Sequence, residues 1–362
     1  MSIAPIRPDK ADLLRAGFEK WNRDFRFLLD RFRAVLDSGG EPALAALVEE
    51  AFSGNKPDGP LPPRGAQALS IAFQLLNTAE ENTSNQVRRA RETAHGPESE
   101  TGLWPDSLQA LKKAGFAEKE IRKQLGRIRV QPVLTAHPTE AKRATVLEHH
   151  RELYQLALQR ENIHWTPMEQ EALSRRIETA VERLWRTGEI LLERPDVQSE
   201  VRNVLHYLTT VFPDVVELLT ERFRLSWEAA FPGSQPPDTP RLSFGSWVVG
   251  DRDGHPFVTP GVTRDTLAVL RAGALRILRQ RLERLASQLS LAERLQTPPA
   301  ELRKWLAETE PQTGAAGERA MDRNPGEPWR QMVNLMLAKL PAANGEPGPG
   351  QYRRASDLLA DL

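Results

Sequence analysis

A predominantly helical α/β protein is what this sequence predicts. Most of its length places apolar side chains three and four residues apart, as amphipathic helices do. Two short runs, residues 128–136 (IRVQPVLTA) and 242–249 (LSFGSWVV), break that period with β-branched and aromatic residues and read as strands. Each run ends in charged, chemically capable residues and hands over to a helix. Strands do this where an α/β barrel or sheet presents a site at its carboxyl ends.

The first helix is expected over residues 11–36, where Leu14, Phe18, Trp21, Phe25, Leu28, Leu29, Phe32 and Leu36 form one core-facing stripe that Gly39 and Gly40 close. A second helix over 66–93 ends in Arg88, Arg89 and Arg91, read as a solvated face. Short helices at 106–114 and 117–125 flank Gly115. The strand at 128–136 is read as buried, with Pro132 marking an edge position or a bulge. His137 precedes a proline and is held extended, so the next helix starts after it, with Thr139 as N-cap, and runs to about residue 160. Thr166, Pro167 and Glu169 make a capping start for a helix reaching about residue 193, before Pro195. A helical stretch over 196–230 is interrupted at Pro213. FPGSQPPDTP, residues 231–240, is the clearest linker; the second strand follows, then a helix over about 264–289. The remainder, 309–362, is Gly- and Pro-rich in places, carries a helix near 329–340 and is read as partly mobile.

Composition narrows the function classes. The 362 residues carry 49 basic and 49 acidic side chains, a net charge of zero, so no global field favours nucleic acid or an anionic membrane, and any anion must be held by a local cluster. The chain has no cysteine, which excludes disulfides, thiolate metal sites and cysteine nucleophiles and suits a reducing compartment. MSIAPIRPDKADLL lacks the apolar core of a secretory signal, and no stretch approaches the roughly 18 apolar residues of a membrane span. A soluble, cytoplasmic protein is expected.

Two segments carry candidate chemistry. A lone histidine is more often a hydrogen-bonded structural residue, but His137 stands at a strand end with Thr135, Thr139, Glu140 and Arg143 close in sequence, groups that can orient an imidazole for proton transfer. The helix N-terminus that follows favours an anion beside the ring. In GSWVVGDRDGHP, residues 245–256, the glycines allow close backbone approach, and Asp251 and Asp253 can lock the Arg252 guanidinium so that it grips a carboxylate or phosphate. The alternative there is a tight Asp-Gly turn with a self-satisfied ion pair. His149 and His150 are adjacent on a helix, point about 100° apart and do not chelate one metal. No HExxH, Walker loop, strand-linked GxGxxG or calcium loop occurs.

Those two segments resemble a known family. TAHPTEAKR, residues 135–143, resembles the N-terminal active-site signature of phosphoenolpyruvate carboxylases. GSWVVGDRDGHPFVTP, residues 245–260, is similar to that family's second block, G-S-W-M-G-G-D-R-D-G-N-P. LLNTAEENTSNQVRRAR, LWRTGEILLERPDVQSE, VTPGVT and EPWRQ extend the likeness over most of the chain.

The resemblance implies the N-terminal part of a phosphoenolpyruvate carboxylase-type α/β barrel with many extra helices. It divides the chain into an N-terminal helical region (1–126), the first barrel strands with long helices and both motifs (127–308), and a tail entering a missing C-terminal half (309–362). It implies conversion of phosphoenolpyruvate and bicarbonate to oxaloacetate and phosphate, an anaplerotic carbon dioxide fixation feeding the tricarboxylic acid cycle. His137 becomes the residue that handles carboxyphosphate, and Trp247 the wall of the bicarbonate pocket. Arg143 and Arg252 bind substrate, while Thr139, Glu140, Asp251 and Asp253 organise the site. Magnesium is implied as cofactor, with its ligands in the C-terminal half and none in this chain. Partners would be further copies, a tetramer in the family, or a complementing C-terminal half, with no nucleic acid and no membrane. Three departures stand out: Ala144 replaces an arginine, Val248 and Val249 replace Met-Gly, and His255 replaces Asn. Family members are also more than twice as long, so the chain reads as a truncated or split enzyme, inactive alone. The competing expectations are a non-catalytic binding or scaffold protein derived from that half, and a phosphoryl carrier using His137.

Overall fold

The computed structural model describes residues 9–54, 60–135, 144–187, 196–250, 256–343 and 345–362. In chain order these hold α1 Lys10–Ser38, α2 Pro42–Ala51, α3 Gly65–His95, α4 Trp104–Lys113, α5 Glu118–Leu125, β1 Arg129–Val130 and β2 Val133–Leu134. Then follow α6 Ala144–Gln159, α7 Pro167–Thr187, α8 Val197–His206, α9 Phe212–Ala230, β3 Arg241–Leu242 and β4 Gly245–Ser246. The remainder is α10 Pro260–Gln288, α11 Ala300–Thr309, α12 Ala315–Asp322, α13 Pro328–Lys339 and α14 Ala355–Asp361. The helical character expected from the sequence is observed, whereas the described residues hold only two short parallel strand pairs and no closed barrel. Short α2, α11, α12 and α14, of 7 to 10 residues, escaped the sequence reading, whereas α4 and α5, of 10 and 8 residues, are found close to where they were expected.

Contacts divide the chain into two compact units: Met1–Val130 with His137–Pro195 and Leu219–Ser243, and Gln131–Ala136 with Asp196–Leu218 and Phe244–Leu362. These boundaries differ from the three regions read from the sequence.

The first unit is built on α1, α2, α3, α6 and α7, whose facing stripes bury Phe32, Leu36, Ile71, Leu75, Leu153, Ile177 and Leu184 together. The stripe of α1 is core only from its middle onward. Leu14 is 64% and Phe18 68% exposed, a correction to the expected core, because at this level α1 meets α3 through Gly17, against Val87, rather than through the apolar stripe. Thr166 starts α7 as expected, with its N–H donating to Glu169 Oε2 at 2.8 Å and Glu169 N–H donating back to Thr166 Oγ1 at 3.3 Å. The basic end of α3 is neutralised in part, Arg88 by Glu92 and Arg91 by Glu100. A smaller cluster joins Leu108, Ile121, Leu125, Phe223 and Trp227. The 231–240 stretch expected as a linker is pinned to that cluster: Ser234 Oγ donates to Glu118 Oε1 at 2.6 Å, and Arg122 donates to the Gln235 carbonyl at 2.6 Å.

The second unit packs α10 and α13 through Leu282, Ala286, Met336, Leu340, Tyr352 and Leu358, and α11 and α12 through Leu302, Leu306, Ala320 and Leu335. Residues 309–362, read as partly mobile from their Gly and Pro content, thus supply buried side chains to both clusters. Asp361 accepts from Trp305 Nε1 at 3.0 Å, Lys339 Nζ at 2.6 Å and the Tyr352 hydroxyl at 2.7 Å, which ties α14 down. The interruption read at Pro213 is a π-helical turn over Tyr207–Val211, where Pro213 has no N–H to continue the α ladder.

Both strands are shorter and more exposed than expected. The 128–136 run splits at Gln131 and Pro132 into β1 and β2, and Val130 and Val133 are 44% and 48% exposed, correcting the buried-strand reading. Proline removes a ladder donor there, and the described residues provide no layer over these side chains. The 242–249 run contributes only β3 and β4, because Trp247 to Gly250 form a turn.

Candidate active site at the strand ends

Parallel pairing organises the candidate site. β2 pairs with β4 in register Val133 to Gly245 and Leu134 to Ser246. Gly245 N–H donates to the Pro132 carbonyl at 2.9 Å, and Trp247 N–H donates to the Leu134 carbonyl at 2.8 Å. The two motif blocks, separated by more than 100 residues in sequence, therefore leave from adjacent ends of parallel strands, Thr135 beside Trp247. A Cβ at Gly245 would lie 3.3 Å from Val133 Cγ2, a contact that a small shift of the valine methyl relieves.

Beyond β4 the chain turns sharply. Gly250 N–H donates to the Trp247 carbonyl at 3.0 Å, and Ser246 Oγ reaches the Val248 carbonyl at 3.4 Å. Val249 is the third residue of this turn, with φ of 65°, and is only 6% exposed. Trp247, two residues earlier, is 61% exposed. Phe244, just before β4, stacks on Phe212 with centroids 4.3 Å apart. Thr259 then caps α10, its hydroxyl accepting from Val262 N–H at 3.3 Å.

Of the residues singled out from sequence, Trp247 is described at this strand end. His137, Thr139, Glu140 and Arg143, and Asp251, Arg252 and Asp253, lie outside the described residues. Among the described residues no group of three His, Cys, Asp or Glu side chains could hold a metal ion. None of the described helices is long and apolar enough to cross a membrane.

Sequence reasoning passed over a polar face on α3, within LLNTAEENTSNQVRRAR. Asn82 and Thr83 are buried. Asn82 Nδ2 donates to Glu161 Oε1 at 2.6 Å, which also accepts from Lys20 Nζ at 2.6 Å, and Asn85 Nδ2 donates to the Tyr154 hydroxyl at 2.9 Å. Asn82 Oδ1 and Thr83 Oγ1 have no hydrogen-bond partner among the described residues. The sequence signal was there: Asn82 and Gln86 continue at helical spacing the stripe that Ile71, Leu75 and Ala79 begin.

In a predominantly helical protein, both motif blocks thus start at the carboxyl ends of paired parallel strands. The family model of phosphoenolpyruvate carboxylase matches residues 63–353, and the chain belongs to that family. It is similar to the phosphoenolpyruvate carboxylase of Methylorubrum extorquens, at 36% identity over 309 residues that make up 83% of this chain and 33% of the relative. It is likewise similar to that of Chromobacterium violaceum, 31% identical over 92% of this chain and 38% of the relative, and to that of Xanthomonas euvesicatoria, 32% identical over 99% and 40%. The chain thus spans about a third to two fifths of the length of the curated relatives it matches.

Proposed function

We propose that this chain carries the His137 and Trp247 side of a phosphoenolpyruvate carboxylase site, and that carboxylation requires further polypeptide. The observation that carries the reading is the register of β2 with β4, which starts both family blocks from neighbouring strand ends. In the reaction, a bicarbonate oxygen attacks the phosphoryl group of phosphoenolpyruvate and the enolate of pyruvate departs, leaving carboxyphosphate. The His137 imidazole takes the carboxyl proton and returns it to the phosphate as the carbon–oxygen bond breaks, and the enolate carbon bonds to the carbon dioxide released. Thr139 and Glu140 orient the imidazole. Arg143 and Arg252 hold anionic oxygens, Arg252 steadied by Asp251 and Asp253. The Trp247 indole walls water away from carbon dioxide and the enolate.

The described residues do not fit a magnesium site, and the reading assigns that ion, together with the rest of an α/β barrel and a tetrameric assembly, to the complete enzyme. There the ion would supply charge stabilisation for the phosphoryl group and the enolate. The cytoplasm is the setting, in keeping with a cysteine-free chain.

The test follows oxaloacetate through malate dehydrogenase, using the chain assembled with the C-terminal half of a related carboxylase. The assembled parent is expected to turn over, the isolated chain to give no detectable rate, and His137→Asn to lower the assembled rate by about 10² to 10⁴ while phosphoenolpyruvate binding persists. A parental rate in His137→Asn would overturn the assignment. An assembled parent that binds its complement without turnover would leave the scaffold reading in its place.

A further inference from the structure

The turn from Trp247 to Gly250 combines two features that do not normally go together. Its closing bond, Gly250 N–H to the Trp247 carbonyl at 3.0 Å, makes Val248 and Val249 its central residues. Among the described non-glycine residues only Arg64 and Val249 have positive φ. A positive φ confined to the second central position is the type II pattern, which glycine or asparagine ordinarily fills. Valine is among the residues least suited to it, since a branched Cβ crowds the carbonyl oxygen that follows.

Such a conformation persists only where its surroundings over-determine it. The surroundings are on view: Val249 is buried although Trp247, two residues earlier, projects outward. The turn is also tied at both ends, by Trp247 N–H to the Leu134 carbonyl at 2.8 Å and by Gly250, where a Cβ would lie 2.6 Å from the Ser246 carbonyl oxygen. We propose that Val249 is a positioning residue, a buried anchor set against an unfavourable backbone, which fixes the turn in one form and thereby the direction in which Trp247 is presented. The function of a fixed Trp247 rests on the carboxylase reading; the anchoring itself does not.

The ordinary alternative is that Val249 is one more packed apolar side chain. The two accounts predict opposite orders of stability. At an ordinary buried valine, glycine is worse than alanine, because it loosens the unfolded chain and fills no more space. At a left-handed position glycine is better than alanine, because alanine keeps the strain and loses the anchor. In the full 362-residue chain, Val249→Gly is therefore expected to melt about 2 °C or more above Val249→Ala. In ¹⁵N spectra, the Trp247 indole signal, identified by its loss in Trp247→Phe, is expected to be single in the parent and in Val249→Ile. It should broaden or split in both truncated variants.

Val249→Gly melting below Val249→Ala, or an unchanged Trp247 signal in both, would overturn the proposal. If neither truncation folds, Val249→Leu decides: without the branch at Cβ it should melt no lower than the parent, and a clear drop would mean ordinary packing. These readouts use no substrate, so they stand or fall apart from the carboxylase assay. In the assembled enzyme, Val249→Gly should raise the KM for bicarbonate more than it lowers kcat. A shift in that KM absent despite a disturbed Trp247 signal would count against the reading of Trp247, leaving the anchor intact.

Discussion

Gly250→Ala is the substitution whose cost the geometry sets most directly. A Cβ at this position would stand 2.6 Å from the Ser246 carbonyl oxygen, and because the obstacle is backbone, no change of rotamer relieves it. The turn has to open, which breaks the 3.0 Å bond from Gly250 N–H to the Trp247 carbonyl. The lost hydrogen bond is worth about 0.5–1.5 kcal/mol, and the backbone shift that opens the turn costs about 1–3 kcal/mol, so the expected destabilisation is about 1.5–4.5 kcal/mol. Gly245→Ala supplies the internal control. There the added Cβ meets Val133 Cγ2 at 3.3 Å, a side-chain methyl able to yield, and the expected cost is under about 1 kcal/mol. Urea unfolding of both variants, followed by circular dichroism at constant slope, measures the difference. A parental midpoint for Gly250→Ala, or one no lower than that of Gly245→Ala, would refute the reasoning.

Two further substitutions test the cores. Phe32 is fully buried and packs edge-to-face on Trp185 with centroids 5.8 Å apart, so Phe32→Ala should cost about 3–5 kcal/mol, whereas Phe18→Ala, on the exposed start of α1, should stay within about 0.5 kcal/mol; paired denaturation curves check both. Burial alone would raise the Asp361 carboxyl, but hydrogen bonds from Lys339, Tyr352 and Trp305 outweigh it and hold the group below the usual carboxylate range. A depressed folded-state pKa means that its contribution is present above the unfolded value near 3.9 and is lost as pH falls through the folded one. Asp361→Asn should therefore cost about 2 kcal/mol at pH 7, and its difference from the parent should shrink as the medium is acidified below about pH 4, as melting curves across pH would register.

What was legible in the sequence follows from how much chain each signal spans. α1 and α3, with 29 and 31 residues, repeat their stripe often enough to be placed within a few residues. The start of α7 carries a Thr-Pro cap that announces itself locally, whereas α10, expected from about residue 264, starts at the Thr259-Pro260 cap four residues earlier. Burial was less legible: Leu14 and Phe18 continue the α1 stripe in perfect register, and only tertiary packing decides which face of the helix meets its partner at that level. The motifs were legible, yet what starts them from neighbouring strand ends, the pairing of Leu134 with Ser246, is a contact between positions more than 100 residues apart that no local pattern encodes. Val249 was visible as a departure from the family block; that its backbone occupies the left-handed region is a property of the turn rather than of the residue type.

Parallel strands occur almost only with both faces covered, because the connections that make them parallel also supply the covering layers. β1 and β2 satisfy the pairing and not the covering: their ladders are two residues long, and Val130 and Val133 stand nearly half exposed. An isolated two-stranded pair of that length has little stability of its own. The register that brings the two motif blocks together is therefore held by few bonds, among them those of Trp247 and Gly250 at the turn. A further layer over Val133 would exclude water from the Leu134 and Ser246 ladder and stiffen the strand end from which both motifs depart. On the proposed reading, a dependence of turnover on added polypeptide would have two separable sources, catalytic groups carried by that polypeptide and support for the strand end. An added C-terminal half that cannot itself catalyse should still sharpen the Trp247 indole signal.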